Sequence, residues 1–176
     1  KNCGYPFFMV ALLSACSTLP SLSSPDTCDQ HIEATQMLTL HHGEETQEAI
    51  VLLDIAPNDM KVAATTPQGQ TLLKATVDAS GQLHGEIPAW LKAHGIDAQA
   101  IVRDIQIALW PAEALRAHGW EITDSADENI RRVNLNGSPW AMIRYEGNRL
   151  QPTHIEITRT DNLYSVELHT IEWTRL

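Results

Sequence analysis

The chain has 176 residues, with 12 Lys and Arg against 22 Asp and Glu, so its formal net charge is −10. This length suits one domain with a core of its own, and a charged fraction of 19% with near-neutral mean hydropathy excludes a disordered acidic tail. The negative charge argues against nucleic acid as a partner, because nucleic-acid binding requires a basic face. It also disfavours electrostatic attraction to an anionic membrane surface. No apolar run is long enough to span a bilayer.

An apolar run at residues 5–15 follows Lys1 and has the length of a signal-peptide core. It ends in Leu13-Ser14-Ala15-Cys16, which resembles the lipobox of bacterial lipoproteins. In a lipobox, an aliphatic residue and two small residues precede the Cys whose thiol receives a diacylglyceryl group. We therefore expect residues 1–15 to be a lipoprotein signal peptide and Cys16 to be lipidated. The alternative is a buried hydrophobic N-terminal helix with a chance cysteine.

A lipidated Cys16 would carry several acyl chains, enough for stable anchoring where one chain is marginal. Ser17 stands where an Asp favours retention in the inner membrane of enterobacteria, so we expect the outer membrane, on the periplasmic side. Residues 16–30 are rich in Ser and Pro and predict a flexible tether to a domain at residues 31–176. Cys28 is left without a cysteine to pair with, so it is expected to be a bystander, with an intermolecular disulfide as the minor alternative.

Two sets of short β-type runs are separated by turn residues. The first set predicts strands at residues 34–40, 49–55, 61–65, 72–77 and 83–87. The second set predicts strands at residues 120–123, 130–135, 140–145, 154–159 and 164–173, with Asn136-Gly137 as a strong hairpin signal. Short connections between consecutive strands favour antiparallel pairing within each set.

Residues 88–119 change the pattern from strands to helices. Asp97 can cap a helix in which apolar residues recur at helical spacing as far as Leu109. A second helix is predicted at residues 112–118, and a shorter helical turn at residues 89–94. The sequence therefore predicts an α+β domain with one large antiparallel sheet. Such a wide sheet must twist and curl, leaving a concave apolar face for the helices to cover.

No catalytic motif is present, whether a nucleophile elbow, a phosphate-binding loop, a dinucleotide fingerprint or a close cysteine pair. His41 and His42 are adjacent on a predicted strand and point to opposite faces, so they cannot easily share one metal ion. We expect no catalytic residue, no cofactor and no metal. An accessory acyl-transfer or hydrolytic enzyme stays open as an alternative, and would require Ser138 or His154, for example, beside a second titrating group.

Several segments in this order resemble the LolB family of outer-membrane lipoprotein receptors, which accept lipoproteins from the periplasmic carrier LolA. The matching pieces are the lipobox, Thr66-Pro67-Gln68-Gly69-Gln70-Thr71-Leu72-Leu73, Arg103-Asp104-Ile105-Gln106-Ile107-Ala108-Leu109-Trp110-Pro111, and the closing strands at residues 154–157 and 164–168. The stretch at residues 104–116 more specifically resembles a family of LolB-like bacterial lipoproteins encoded beside aryl polyene biosynthesis genes.

This resemblance implies a half-open antiparallel β-barrel of about 10–11 strands, with the helical insert covering its concave face. The apolar cavity beneath the helices would hold acyl chains, and transfer would need motion rather than bond chemistry. A LolA-like carrier is the implied partner. The side chains expected to line the cavity are Trp90, Ile101, Ile105, Leu109, Trp110, Trp140 and Met142.

The loop tip departs from the family. LolB carries an exposed Leu in a Pro-Leu-Gly turn that pushes lipoproteins into the membrane, whereas this chain has Gln68 there. A polar tip should not insert into lipid, so a dedicated role with another lipid-like cargo, such as an aryl polyene lipid, is favoured. The predicted function is a non-enzymatic outer-membrane lipoprotein that binds a hydrophobic acyl or polyene lipid and aids its transport or anchoring. A structural lipoprotein that binds a protein partner is a further alternative, and a collapsed interior would indicate it.

Overall fold

The computed structural model describes residues 19–93, 97–125, 129–161 and 164–175. The predicted signal peptide and Cys16 lie outside the described residues, as does the side chain of Trp90. Within the described ranges, no helix is both long enough and apolar enough to cross a membrane.

Ten strands form one antiparallel sheet. They are β1 (Ile32–His42), β2 (Glu45–Ala56), β3 (Asp59–Thr65), β4 (Thr71–Asp78), β5 (Leu83–Glu86), β6 (Glu121–Ser125), β7 (Ile130–Leu135), β8 (Ser138–Asn148), β9 (Gln151–Arg159) and β10 (Ser165–Arg175). Their order across the sheet is β5-β4-β3-β2-β1-β10-β9-β8-β7-β6. The first five strands thus step outward to one edge, and the last five step back from the other edge until β10 pairs with β1. The edge strands β5 and β6 are not neighbours in this order, so the sheet is open and the predicted fold class is confirmed.

Alternating burial explains why these segments pair as they do. In β3, Met60, Val62 and Ala64 are buried while the residues between them are more exposed, so one face of the strand meets the interior. The β7–β8 hairpin turns at Asn136 and Gly137, whose φ angles of 51° and 74° suit a two-residue turn of the primed type. The strands therefore follow the predicted pattern and extend a few residues beyond most of the predicted ends.

Three helices connect β5 to β6 across the concave face: α1 (Ala89–Ala93), α2 (Ala98–Leu109) and α3 (Ala112–Ala117). Asp97 caps α2, accepting a hydrogen bond of 2.6 Å from the amide of Ala100. Pro111 stands between α2 and α3, where its ring separates the two helices without costing a helical hydrogen bond. The predicted helical insert is confirmed.

The segment before β1 differs from the predicted flexible tether. Leu22 and Cys28 are buried, and a single turn of 3-10 helix forms at Pro25–Cys28. The Gln106 side chain accepts a 2.9 Å bond from the Ser23 amide and donates a 2.8 Å bond to the Ser23 carbonyl. Residues 22–28 are therefore docked on the domain, because Leu22 and Cys28 are buried and the backbone of Ser23 is paired with a side chain 83 residues away. The tether prediction is wrong for this stretch.

Cys28 is fully buried, with no exposed surface, and burial raises the pKa of its thiol to about 11. A protonated thiol without solvent access is a poor nucleophile. The minor alternative of an intermolecular disulfide through Cys28 is therefore wrong for the folded domain.

Candidate ligand cavity

A cavity of about 80 Å³ lies between the concave face of the sheet and helices α1 and α2. Apolar side chains make up most of its wall: Leu38, Leu40, Ala49, Val51, Leu53, Val62, Ala64, Leu72, Leu73, Leu91, Ile101, Ile105, Ile157, Val166 and Leu168. Five polar residues complete it: Gln36, Gln47, Glu48, Asp104 and Tyr164. A cavity needs about 10–15 Å³ by this measure to hold one water, so the space admits on the order of half a dozen non-hydrogen atoms.

Small side chains on the inner faces of β2 and β3 account for the space. In the β1–β2 register Leu38 stands beside Ala49, and in the β2–β3 register Val51 stands beside Ala64. Directly opposite residues on one face of a sheet lie close together, and large side chains at such positions would fill the space above them. Here Ala and Val leave room between the sheet and α2 that the aliphatic side chain of Ile105 does not fill.

The cavity opens toward the turns that precede β2 and β4. Gln47, Glu48 and Leu72 belong both to its wall and to an open surface groove of about 510 Å³. Pro67 and Gln68 border the same groove, so the loop tip singled out in the sequence lies beside the cavity mouth. Gln68 is exposed there.

The inner end of the cavity is polar and already hydrogen-bonded. Asp104 on α2 accepts a 2.5 Å bond from the Tyr164 hydroxyl and a 3.4 Å bond from Arg159 Nη1. Burial raises the pKa of the Asp104 carboxyl, and these partners offset only part of that effect. The pKa of the Tyr164 phenol is also raised, first by burial and then by the neighbouring carboxylate. The two side chains thus close one end of the cavity, and their hydrogen-bonding groups are already paired with each other.

Two side chains, one on β7 and one on β8, hold the C-terminal end of α2. Arg131 donates bonds of 2.7 and 2.8 Å to the carbonyls of Ile107 and Trp110, and the Tyr145 hydroxyl donates a 2.7 Å bond to the carbonyl of Ala108. The last carbonyls of a helix have no partner within the helix, so these bonds both satisfy them and fix the helix position. The wall that α2 contributes to the cavity is therefore held in place.

Polar side chains at residues 104–116 form hydrogen bonds to other parts of the domain. Asp104 bonds Tyr164, Gln106 bonds Ser23, and Trp110 Nε1 donates a 2.9 Å bond to Thr27. Arg116 Nη2 donates a 2.8 Å bond to the carbonyl of Ile122. The stretch that carries the most specific resemblance thus positions the helices.

The predicted cavity-lining residues divide into two groups. Ile101 and Ile105 lie on the wall. Leu109 and Met142 are half-buried and lie away from it, with Met142 on the outer face of β8 between two buried neighbours. Trp110 is fully buried in the core.

Trp140 packs elsewhere as well. Its ring lies 5.5 Å from that of Trp120, and the Arg159 guanidinium lies 4.0 Å from the centre of the Trp140 ring. Large aromatic side chains fill the space they enter, so the structure places these rings in the packed part of the interior. The aliphatic wall residues of β1–β4 were missed, because alternation alone does not distinguish a cavity wall from a closed core.

The chemistry available in the cavity is limited. Within the described residues its wall holds no Ser, Thr, Cys or His, and its titratable groups are Glu48, Asp104 and Tyr164. Ser138 is exposed at the start of β8, and His154 lies on the outer face of β9 beside Glu146. Neither joins the cavity, and the prediction of a non-enzyme stays a prediction.

Possible metal-ligand groups lie outside the cavity, on the outer face. His154, Glu167 and His169 bring ligand atoms within 4.8 Å of one another, and His31, Glu33 and Asp54 form a second such group.

Comparison with known proteins adds a family assignment. A family model described as "Protein of unknown function (DUF3261)" matches residues 33–172. No curated protein matches the chain. A solved Vibrio parahaemolyticus domain, provisionally described as an outer membrane lipoprotein-sorting protein domain, has 9% identity and a TM-score of 0.44, over 82% of this chain and 84% of that one. At this TM-score the likeness supports no inference about the chain.

Proposed function

The chain belongs to the DUF3261 family, and for this member we propose a non-enzymatic role in binding a hydrophobic acyl or polyene lipid at the outer membrane, aiding its transport or anchoring. The observation that carries the proposal is the aliphatic cavity under α1 and α2, which opens on a polar surface groove. A structural lipoprotein would need no such space, so the cavity favours a ligand over a purely structural role.

Burial of an alkyl chain supplies enough affinity without a charged anchor. Each buried CH₂ contributes about 0.8 kcal/mol, so roughly six carbons would contribute about 5 kcal/mol. A longer acyl chain would extend past Leu40 and Leu72 at the mouth, where the wall is still apolar. The affinity would therefore increase with chain length until the chain extends beyond this apolar wall.

The polarity of the two ends orients the ligand. Asp104 and Tyr164 at the inner end already bond each other, so they offer little to a polar head group. Gln47 and Glu48 at the mouth, with Gln68 nearby, are in contact with the open groove. The proposal therefore places the apolar tail inside and the head group at the mouth.

Membrane attachment is proposed through Cys16. The chain would hold the outer membrane by the acyl chains on this residue, because its net charge of −10 gives no attraction to anionic lipid. A Cys16→Ala variant should leave the outer-membrane fraction while still folding, whereas the control variant Cys3→Ala should remain in it. An outer-membrane location of Cys16→Ala would contradict the anchor.

The cargo and its supplier are proposed from the resemblance. A LolA-like periplasmic carrier would deliver the lipid, and an aryl polyene lipid is the favoured cargo. Gln68 supports a dedicated cargo, because an exposed amide at the loop tip is poorly suited to enter a bilayer.

Native mass spectrometry of the full chain, released from detergent micelles, tests lipid binding. Val51→Trp would fill the cavity, whereas Leu52→Trp adds the same ring one residue away, at a position that is 52% exposed. The wild type and Leu52→Trp should carry non-covalent lipid adducts, and Val51→Trp should lose most of them. Equal adducts in all three proteins would overturn the proposal.

A further inference from the structure

Two histidines and a glutamate meet on the outer face of the sheet, opposite the cavity. His154 on β9 stands directly across from His169 on β10, and their rings stack with centres 4.1 Å apart and planes 3° from parallel. Glu167 lies two residues before His169, so its side chain is on the same face. The register of β9 and β10 therefore brings together residues that are 15 apart in the sequence.

The three side chains face a common gap. Glu167 Oε2 lies 3.9 Å from Nε2 of His154 and 3.9 Å from Nε2 of His169. These separations are too long for hydrogen bonds. Two ligands of a tetrahedral zinc ion lie ~3.4 Å apart, since each is about 2.0–2.1 Å from the metal. A contraction of about half an ångström and a tilt of the exposed His169 ring would therefore close the site around an ion.

Neighbouring groups orient the ligands. Glu146 Oε1 lies 3.4 Å from Nδ1 of His154, an arrangement that favours the proton on Nδ1 and leaves the lone pair of Nε2 facing the gap. Nε2 of His154 is buried and has no hydrogen-bond partner within the described part of the chain. The second oxygen of Glu167 lies 3.4 Å from Nε2 of His41, which holds the carboxylate from the other side.

We propose that His154, Glu167 and His169 form a binding site for a divalent transition-metal ion, with zinc as the best match to two imidazoles and a carboxylate. Nitrogen ligands disfavour Mg²⁺ and Ca²⁺, which prefer oxygen. Water would take the fourth position, because His169 is 56% exposed in its side chain. The site would link β9 to β10 and is independent of the cavity.

The group around Asp54 is a weaker candidate. Lys61 Nζ lies 3.5 Å from Oδ2 of Asp54, so a cation already compensates this carboxylate. The group at His154 has no Lys or Arg within ion-pair distance of Glu167 in the described residues. An incoming cation is therefore attracted more strongly to the site at His154.

Isothermal titration of the full chain in detergent with Zn²⁺, and separately with Mg²⁺, tests the site. The wild type should bind one Zn²⁺ and no Mg²⁺. His169→Ala should weaken Zn²⁺ binding by at least about tenfold, since losing even a group that only orients a metal ligand costs about 10–100-fold. His84→Ala, which removes an exposed histidine paired with Asp78, should bind Zn²⁺ like the wild type.

Two further variants keep the result interpretable. Glu167→Gln retains the shape of the side chain and should lose Zn²⁺ binding with an unchanged circular dichroism spectrum. His31→Ala reports on the second group and should bind normally. Zn²⁺ binding that survives both His169→Ala and Glu167→Gln, or that is lost in His31→Ala alone, would overturn the assignment, as would a wild type that binds no Zn²⁺.

Discussion

The two halves of the sheet use apolar residues differently. In the cavity half, β1–β4, the interior face carries Leu, Val and Ala and leaves the space under α1 and α2. In the packed half, β6–β8 with the preceding Trp120, the rings of Trp120 and Trp140 contact each other at a tilt of 59°. Tyr145 and Arg131 of this half donate hydrogen bonds to α2. The same strand pattern thus produces a closed interior on one side and a cavity on the other.

The difference shows how a cavity can be stable. Folded interiors are normally packed without voids larger than a water, because each lost contact costs energy. Here the packed half holds the C-terminal end of α2 through Arg131 and Tyr145, so the helix does not need to collapse onto the small residues of β2 and β3. Rigid packing on one side therefore keeps space on the other.

The largest loss of stability is expected when the Arg131 side chain, which holds α2 from the packed half, is removed. Arg131→Met removes two bonds to helix carbonyls and a bidentate ion pair with Asp124 at 2.9 and 3.1 Å. We expect a loss of ~3 kcal/mol in the free energy of unfolding, because two buried carbonyls lose their partner and Asp124 is left with its bond from Arg149. Urea denaturation measures it. Arg144→Met, at an exposed pair with Glu156, should change stability by less than about 1 kcal/mol.

The same Ala→Leu substitution made once in each half compares their packing directly. Ala64 lines the cavity and Ala141 is buried in the packed half. Ala141→Leu should cost ~1–3 kcal/mol by overpacking. Ala64→Leu should be neutral or stabilising by up to about 2 kcal/mol, because the added carbons enter vacant space. Equal costs in thermal or urea unfolding would mean that the cavity half is packed as tightly as the other.

Two aspartates should give opposite pH dependences. The pKa of Asp104 is raised by burial, so the folded state binds more protons than the unfolded state as pH rises above about 4, and stability falls there. For Asp124, burial raises the pKa, but hydrogen bonds from Arg131 and Arg149 outweigh it and the net shift is downward. Its contribution is present above about pH 4 and is lost as pH falls.

Urea unfolding across the acidic and neutral range checks both signs. Relative to the wild type, Asp104→Asn should gain stability as pH rises above about 4. Asp124→Asn should lose stability relative to the wild type as pH rises toward about 4, and above that pH the stability difference should stay constant. The same slope for both variants would contradict the assigned shifts.

The smallest stability change is expected at the mouth. Gln68 is exposed in a turn closed by the 2.9 Å bond from the Gly69 amide to the Thr66 carbonyl. Gln68→Leu should change the free energy of unfolding by less than about 0.5 kcal/mol. It should nevertheless increase binding to neutral lipid vesicles in a flotation assay, since an exposed Leu gains by burial. Unchanged vesicle binding would show that the tip does not approach the bilayer.

Local signals explain why the strands and helices could be predicted. Period-two alternation, the Asn136-Gly137 turn and the Asp97 cap act over a few residues, so a single sequence contains them. The ordering of Ser23 against Gln106 could not be predicted in this way, because the partners are 83 residues apart. The zinc-site proposal likewise depends on the register that places His154 opposite His169.

The cavity wall was only partly predictable. Ile101 and Ile105 follow from helical spacing, which indicates the face that α2 turns toward the sheet. Trp110 and Trp140 are predicted to line the cavity, yet their size makes them good filling for the packed half. A cavity depends on small residues, and Ala64 carries no signal that distinguishes it from an ordinary core alanine.

Photo-crosslinking in cells tests ligand binding in the cavity most directly. A photoreactive amino acid at position 38 would replace Leu38 on the wall, and one at position 39 would replace Thr39 on the opposite face of the same strand. Mass spectrometry of the chain purified from irradiated cells should find a lipid adduct at position 38 and none at position 39. Equal lipid labelling at both positions, or no lipid adduct at position 38, would contradict the account.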